Sequence, residues 1–97
     1  MLPIEYLPGA RRDFDESFDW YAKREIQVAM RFANAINSAL VEVATNPARF
    51  ASVDGAHHES ALKKFPFRIV FRLVANRVLV VAVAHAKRRP GYWMGRS

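Results

Sequence analysis

Apolar and polar positions follow a succession of distinct patterns along the chain, and each pattern predicts a different element. Pro3-Ile4-Glu5-Tyr6-Leu7-Pro8 alternates between two prolines and predicts a short first strand. Residues 10–46 contain neither Gly nor Pro. Within them Phe14, Phe18, Tyr21 and Ala22 form one stripe at helical spacing. Ala29, Phe32, Ala33, Ile36, Leu40, Val43 and Ala44 form a second, with Gln27, Arg31, Asn34, Ser38 and Glu42 on the opposite side. The two stripes are nearly in phase, so periodicity does not separate one helix from two, but size does. An unbroken helix would be about 55 Å long, whereas a compact chain of this length has a radius of gyration of about 12–13 Å. The helix must break, and the polar run Lys23-Arg24-Glu25 is the place. A helical hairpin is expected.

Asn46-Pro47 ends the second helix, because the residue before proline avoids the α region. Residues 48–60, with Asp54-Gly55 and His57-His58, read as a loop. Ala61 to Phe65 reads as an edge strand stopped by Pro66. Phe67 to Val74 and Arg77 to Ala86 read as two long strands joined at Ala75-Asn76, where Asn tolerates positive φ. The order is β-α-α-β-β-β: an α+β fold in which a mainly antiparallel sheet carries the helical hairpin on one face. Residues 1–97 are expected to form a single domain.

The last hairpin predicts two unlike faces. An even turn at Ala75-Asn76 sets Ile69 opposite Ala82, Phe71 opposite Val80, Phe67 opposite Ala84 and Leu73 opposite Val78. That face is wholly apolar and should lie under the helices. The reverse face pairs Arg68 with Val83, Val70 with Val81 and Arg72 with Leu79, and continues to His85 and Lys87. Half apolar and half cationic, with no further helices to cover it, it is expected to be a binding surface.

Composition and charge sharpen this picture. At 52% hydrophobic and 25% charged residues, disorder is excluded. The absence of cysteine removes disulfides, thiolate metal sites and cysteine nucleophiles, and fits a reducing cytoplasm. Residues 1–10 have no basic patch followed by an apolar run, so no signal peptide is expected, and no apolar stretch is long enough to span a bilayer. The net charge of +6 is unevenly spread. Residues 1–59 hold six Lys/Arg and nine Asp/Glu; residues 60–97 hold nine Lys/Arg and no acid. Such asymmetry points to an anionic partner, either nucleic acid or an acidic protein segment. His57-His58 with His85 make a poor metal site, lacking Cys and a placed carboxylate. There is no Gly-rich phosphate loop. Neither a metal nor a cofactor is expected. Trp20 lies beside the main stripe of the first helix and should be a half-exposed aromatic at the edge of the core.

The chain resembles the RelE/ParE superfamily of toxins from type II toxin–antitoxin systems, known also as plasmid stabilisation proteins. The residues that carry the resemblance are Phe18-Asp19-Trp20-Tyr21, Asn46-Pro47-Ala48-Arg49-Phe50, the run from Leu62 to Arg72, the strand from Arg77 to His85, and its extension from Ala86 to Trp93. The resemblance implies a cytoplasmic, growth-inhibiting protein neutralised by a cognate antitoxin. In the RelE-like branch the target is mRNA on the ribosome, cut through its own 2′-hydroxyl. In the ParE-like branch the target is DNA gyrase.

For the RelE-like reading, Arg68 matches the third-strand arginine that stabilises the phosphate at the cut. His85 would serve as acid or base, Lys87 and Arg88 would bind phosphate, and Tyr92 or Trp93 would stack on a base. Target or nucleic-acid binding would fall to Lys63, Lys64, Arg68, Arg72, Lys87, Arg88, Arg89 and Trp93. Val70, Val81 and Val83 would bind the antitoxin. Structural readings stand beside these. His85 ties down a strand end, Lys63 and Lys64 keep an edge strand soluble, and Tyr92 with Trp93 form a clasp over Val81 and Val83. The chain also departs from the nuclease pattern. Tyr92 falls early after the basic pair, Met94 stands near the expected tyrosine, and no acid follows Glu59. The histidine followed by basic residues resembles ParE-like proteins more closely, so a gyrase poison is the leading expectation and an mRNA endonuclease the alternative. A third reading is an inactive basic module that holds nucleic acid.

Overall fold

The computed structural model describes residues 1–97. The elements are β1 (Ile4–Tyr6), α1 (Pro8–Ala22), α2 (Ile26–Thr45), a short 3-10 turn (Pro47–Arg49), β2 (His58–Ala61), β3 (Phe67–Val74) and β4 (Arg77–His85). Pro8 starts α1 because its fixed φ suits the first helical turn and its missing N–H is not needed there. The hairpin breaks at Lys23–Glu25, as expected. Glu25 is extended (φ −158°), and its side chain accepts from the Gln27 N–H at 3.3 Å, capping α2. The radius of gyration is 12.8 Å. Neither helix is long and apolar enough to cross a membrane.

The sheet order is β1-β4-β3-β2, with β1 parallel to β4 and the other pairings antiparallel. The sheet is therefore mixed. The second strand is His58–Ala61, three residues earlier than expected. Ser60 is its buried position, and the Leu62–Pro66 stretch is a turn whose Leu62 and Phe65 pack on the core. Glu59, expected in a loop, therefore stands in β2. The β3–β4 turn holds Ala75 and Asn76 at φ 50° and 59°, the left-handed conformation whose hand matches a twisted hairpin. Ala75 has no side-chain polar group to compensate for that φ.

Phe32 is the centre of the core. Its ring meets Phe14 at 5.6 Å, Tyr21 at 5.4 Å and Phe67 at 4.8 Å, joining both helices to β3. Ile36, Leu40 and Val43 continue the α2 stripe over Ile69, Phe71, Val78 and Val80. Ile69 and Phe71 are fully buried and Arg68 is exposed, so the helix-facing side of β3 is the one its alternation predicts.

On β4 the parity fails halfway. Phe71 lies opposite Val80, but Val70 lies opposite Ala82, so Val81 is an extra residue in a β-bulge. Beyond it Ile69 faces Val83, Arg68 faces Ala84 and Phe67 faces His85. Val83, expected on the open face, joins the core beneath the helices, while Ala82 moves to the reverse face. The His85 ring meets Phe67 edge-on at 4.9 Å, so it too has changed sides.

The reverse face is not uncovered. The C-terminal segment folds back so that Trp93, only 7% exposed, packs with Val70, Leu79, Val81 and Ala82, and Tyr92 packs at the margin. This is the clasp expected over Val81, but not over Val83.

Candidate functional site

The bulge forms where β1 has ended: Tyr6 pairs with Val80, and beyond this no strand flanks β4 on that side. Side chains take over the backbone groups there. Asp13, on α1 and 7% exposed, receives the Val83 N–H on Oδ2 at 3.1 Å. The same oxygen accepts from the Tyr92 hydroxyl at 3.0 Å and Arg96 Nη1 at 2.7 Å, and Oδ1 accepts from Arg96 Nη2 at 3.2 Å. Arg96 Nη1 also donates to the Val81 carbonyl at 3.0 Å. One buried carboxylate thus joins α1, the bulge and the tail, and every bond is charge-assisted. Gly9 makes this possible: a Cβ there would lie 2.7 Å from Arg96 Nε. The Tyr92 phenol is pushed up to about 12, first by burial and then by the Asp13 charge.

Beside this network lies a cleft of about 720 Å³ between α1 and the end of β4. Glu16, Ser17, Trp20 and Tyr21 form one wall, and Val83, His85, Lys87, Arg88 and Tyr92 the other. Trp20 is 54% exposed, as its place beside the stripe predicts, and the Arg24 guanidinium covers its ring at 3.6 Å. The Lys87 backbone N–H donates to His85 Nδ1 at 2.9 Å. Because a backbone N–H can only donate, the neutral imidazole carries its proton on Nε2. Arg88 stacks over Tyr92 at 3.8 Å. Lys87, Arg88 and Arg89 are exposed.

Of the residues singled out from sequence, His85, Lys87, Arg88 and Tyr92 come together in this cleft. Arg68 does not join them. It projects from the reverse face, where Glu59 Oε1 meets its Nη1 at 3.5 Å across the β2–β3 ladder. The arginine expected to be free on a face without acids therefore has a carboxylate beside it. Arg72 is half-buried on the same strand and forms no ion pair. Lys63 and Lys64 are exposed in the β2–β3 turn. Val70, Val81 and Val83 are at most 2% exposed and Trp93 is 7% exposed, so none of the four presents a surface while the tail is closed. No three His, Asp or Glu side chains converge as metal ligands.

Asp13 and Arg96 were not found by sequence reasoning. The signal for Asp13 is its spacing, three residues after Ala10 on the inward stripe of α1, where an acid needs a partner. Nothing local marks Arg96 as that partner.

A second small network holds the 52–58 loop against the clasp. Asp54 Oδ1 accepts from the N–H groups of Ala56 (3.0 Å) and His57 (2.7 Å), Asp54 Oδ2 meets His57 Nδ1 at 2.9 Å, and the His57 ring rests on Trp93 at 4.7 Å. The backbone N–H of His57 first, then its ring and the N–H of Ala56, hold the Asp54 carboxyl at about 2, against an ordinary 3.8. Because the folded value is the lower one, this loop's order is present above pH 3.8 and is lost as pH falls through about 2. The expected result is that the amide resonances of Ala56 and His57 titrate with a midpoint near 2; a midpoint near 4 would show the bonds absent in solution.

Comparison with known proteins gives one family and one fold. The model of the ParE toxin of the type II toxin–antitoxin system, parDE, matches residues 4–90. No protein of curated function matches the chain. Among solved structures it is similar to a chain from the chromosomal ParDE TA system from P. aeruginosa, at 16% identity and a TM-score of 0.76, over 90% of this chain and 98% of that one. The likeness is one of fold. By the family match, which takes in every helix and strand, the chain belongs to the ParE toxins of type II toxin–antitoxin systems.

Proposed function

We propose that this toxin inhibits growth by poisoning DNA gyrase in the cytoplasm, and that a cognate antitoxin neutralises it. The observation that carries the choice of target is the placement of Arg68 and His85 on opposite sides of the sheet. Cutting RNA through its 2′-hydroxyl needs a base, an acid and a cation within reach of one phosphate. Here the bulge sends His85 to the helix side, Glu59 neutralises Arg68 on the other, and the Tyr92 hydroxyl is committed to Asp13. This arrangement favours a protein that binds and stalls its target over one that cuts mRNA. With Val70 and Val81 buried beneath the tail and Val83 beneath the helices, the antitoxin is expected to engage other surfaces for as long as the tail stays closed.

Expression of the chain without its antitoxin distinguishes the readings. The expected result is growth arrest with accumulated gyrase-linked DNA breaks and intact mRNA. Ribosome-dependent mRNA cleavage without such breaks would establish the endonuclease reading instead, and undisturbed growth would establish an inert module.

A further inference from the structure

The positive charge of the C-terminal half gathers at one end of the sheet. Lys63 and Lys64 lie in the turn between β2 and β3; Lys87, Arg88 and Arg89 follow β4 directly. These two connections meet at the last rung of the hairpin, where Phe67 pairs with His85 and the Ala86 N–H donates to the Pro66 carbonyl at 2.8 Å. All five cations are exposed. None joins an ion pair, for the six in the molecule involve Arg11, Arg49, His57, Arg68, Arg77 and Arg96. Every acid in the chain precedes Ser60. Five cations without ion pairs thus follow two joined connections, Lys63 and Lys64 at the mouth of the groove beside α2, Lys87 and Arg88 at the mouth of the cleft beside α1.

From this placement we infer that the sheet end formed by Lys63, Lys64, Lys87, Arg88 and Arg89 binds the phosphate backbone of duplex DNA directly. The inference rests on the gyrase reading for its biological setting: the toxin would engage the DNA held by the enzyme as well as the enzyme itself. DNA fits this surface better than an acidic protein segment does. Protein partners draw most of their affinity from anchors such as Trp, Tyr and Arg seated in pockets. The exposed apolar residues at this rung are the small Pro66 and Ala86, and Trp20 in the adjoining cleft is already covered by Arg24. Phosphate contacts need only cations on accessible stems. Glu16 stands on the α1 wall of the cleft that Lys87 and Arg88 line, and it forms no ion pair with either. No base-reading element is present in the cluster, and binding is expected to be independent of sequence.

The test is the salt dependence of binding to a short labelled duplex of arbitrary sequence, measured by fluorescence anisotropy on the full chain. Engagement of five phosphates gives a slope of log K against log salt of about −4.5, or roughly a 500-fold loss of affinity between about 50 and 200 mM salt. Lys63→Gln with Lys64→Gln should remove about two-fifths of the slope, and Lys87→Gln, Arg88→Gln and Arg89→Gln together about three-fifths. The control variant Arg12→Gln, Arg49→Gln, exposed on α1 and the 3-10 turn, should leave it unchanged. The substitutions are all on the surface, and thermal melting confirms that each variant folds. An unchanged slope in the five-substituted chain would overturn the inference. So would retained DNA binding together with loss of binding to a polyglutamate peptide, which would assign the cations to a protein partner. The gyrase reading fails separately. If the five-substituted chain loses the slope yet still yields gyrase-linked breaks at the wild-type level, DNA binding by this surface stands, its part in the poisoning is refuted, and the gyrase reading stands. If wild type shows the slope but produces no breaks, the gyrase reading falls and the DNA surface stands.

Discussion

Asp13→Ala is expected to destabilise the chain by about 3–5 kcal/mol, the usual result of removing one member of a buried ion pair. A domain of this size has a total stability of about 5–15 kcal/mol, and the melting temperature should fall by more than about 12 °C. The loss has several sources. Arg96 would keep a largely desolvated charge, the Val83 N–H would lose its acceptor at the bulge, and the Tyr92 hydroxyl would lose its partner. A spectroscopic readout separates this network from general damage. The Tyr92 phenol stands at about 12, above its ordinary 10.0. A phenol raised on folding contributes stability that is present below pH 10 and lost as pH rises through about 12. In Asp13→Ala the phenolate absorbance should titrate below 12, toward the ordinary 10.0, and the alkaline window should narrow. The charge and hydrogen bond of Asp13 are lost, while any remaining burial still raises the value. A phenol still titrating near 12 would show that Asp13 does not hold the tail. Asp13→Asn keeps the shape and loses the charge, so it should fall between the two.

Trp93→Ala is the second large effect. Truncating a buried tryptophan costs about 3–5 kcal/mol, and here the indole is also the cover of Val70, Leu79, Val81 and Ala82. The variant should lose near-UV dichroism and bind a hydrophobic dye as that face opens, and His57 should lose the ring on which it rests. Since Asp13 and Trp93 fix the same tail, their effects should not add. The double variant is expected to be less destabilised than the sum of the two single variants. Strict additivity would mean that clasp and ion pair act on separate parts of the molecule.

Much of the fold was legible because its signals are local and redundant. The α2 stripe, Asn46-Pro47 and the Ala75-Asn76 turn each mark an element without help from the rest of the chain. The core side of β3 was legible as well, because Arg68 and Arg72 alternate with Ile69 and Phe71. On β4 the same reasoning failed for a physical reason. Residues 78–84 are all apolar, and a strand buried on both faces carries no alternation from which its parity can be read. The bulge lies in that silent stretch, and with it went the placement of Val83 and His85. The start of β2 was misplaced because Leu62 and Phe65 are apolar for packing, not for pairing. In the site, the cationic run after β4 was visible as charge, but the link between Asp13 and Arg96 spans 83 positions and leaves no local trace.

The extra residue at Val81 has a consequence for how members of one fold could come to differ in chemistry. Were Val81 paired in a regular ladder instead of bulged, every later residue of β4 would slide by one position, and His85 would emerge on the same surface as Arg68. An imidazole and a guanidinium would then share a neighbourhood in which a phosphate could be gripped and a proton moved. In this chain a single irregularity in the ladder keeps those two side chains apart without altering either of them.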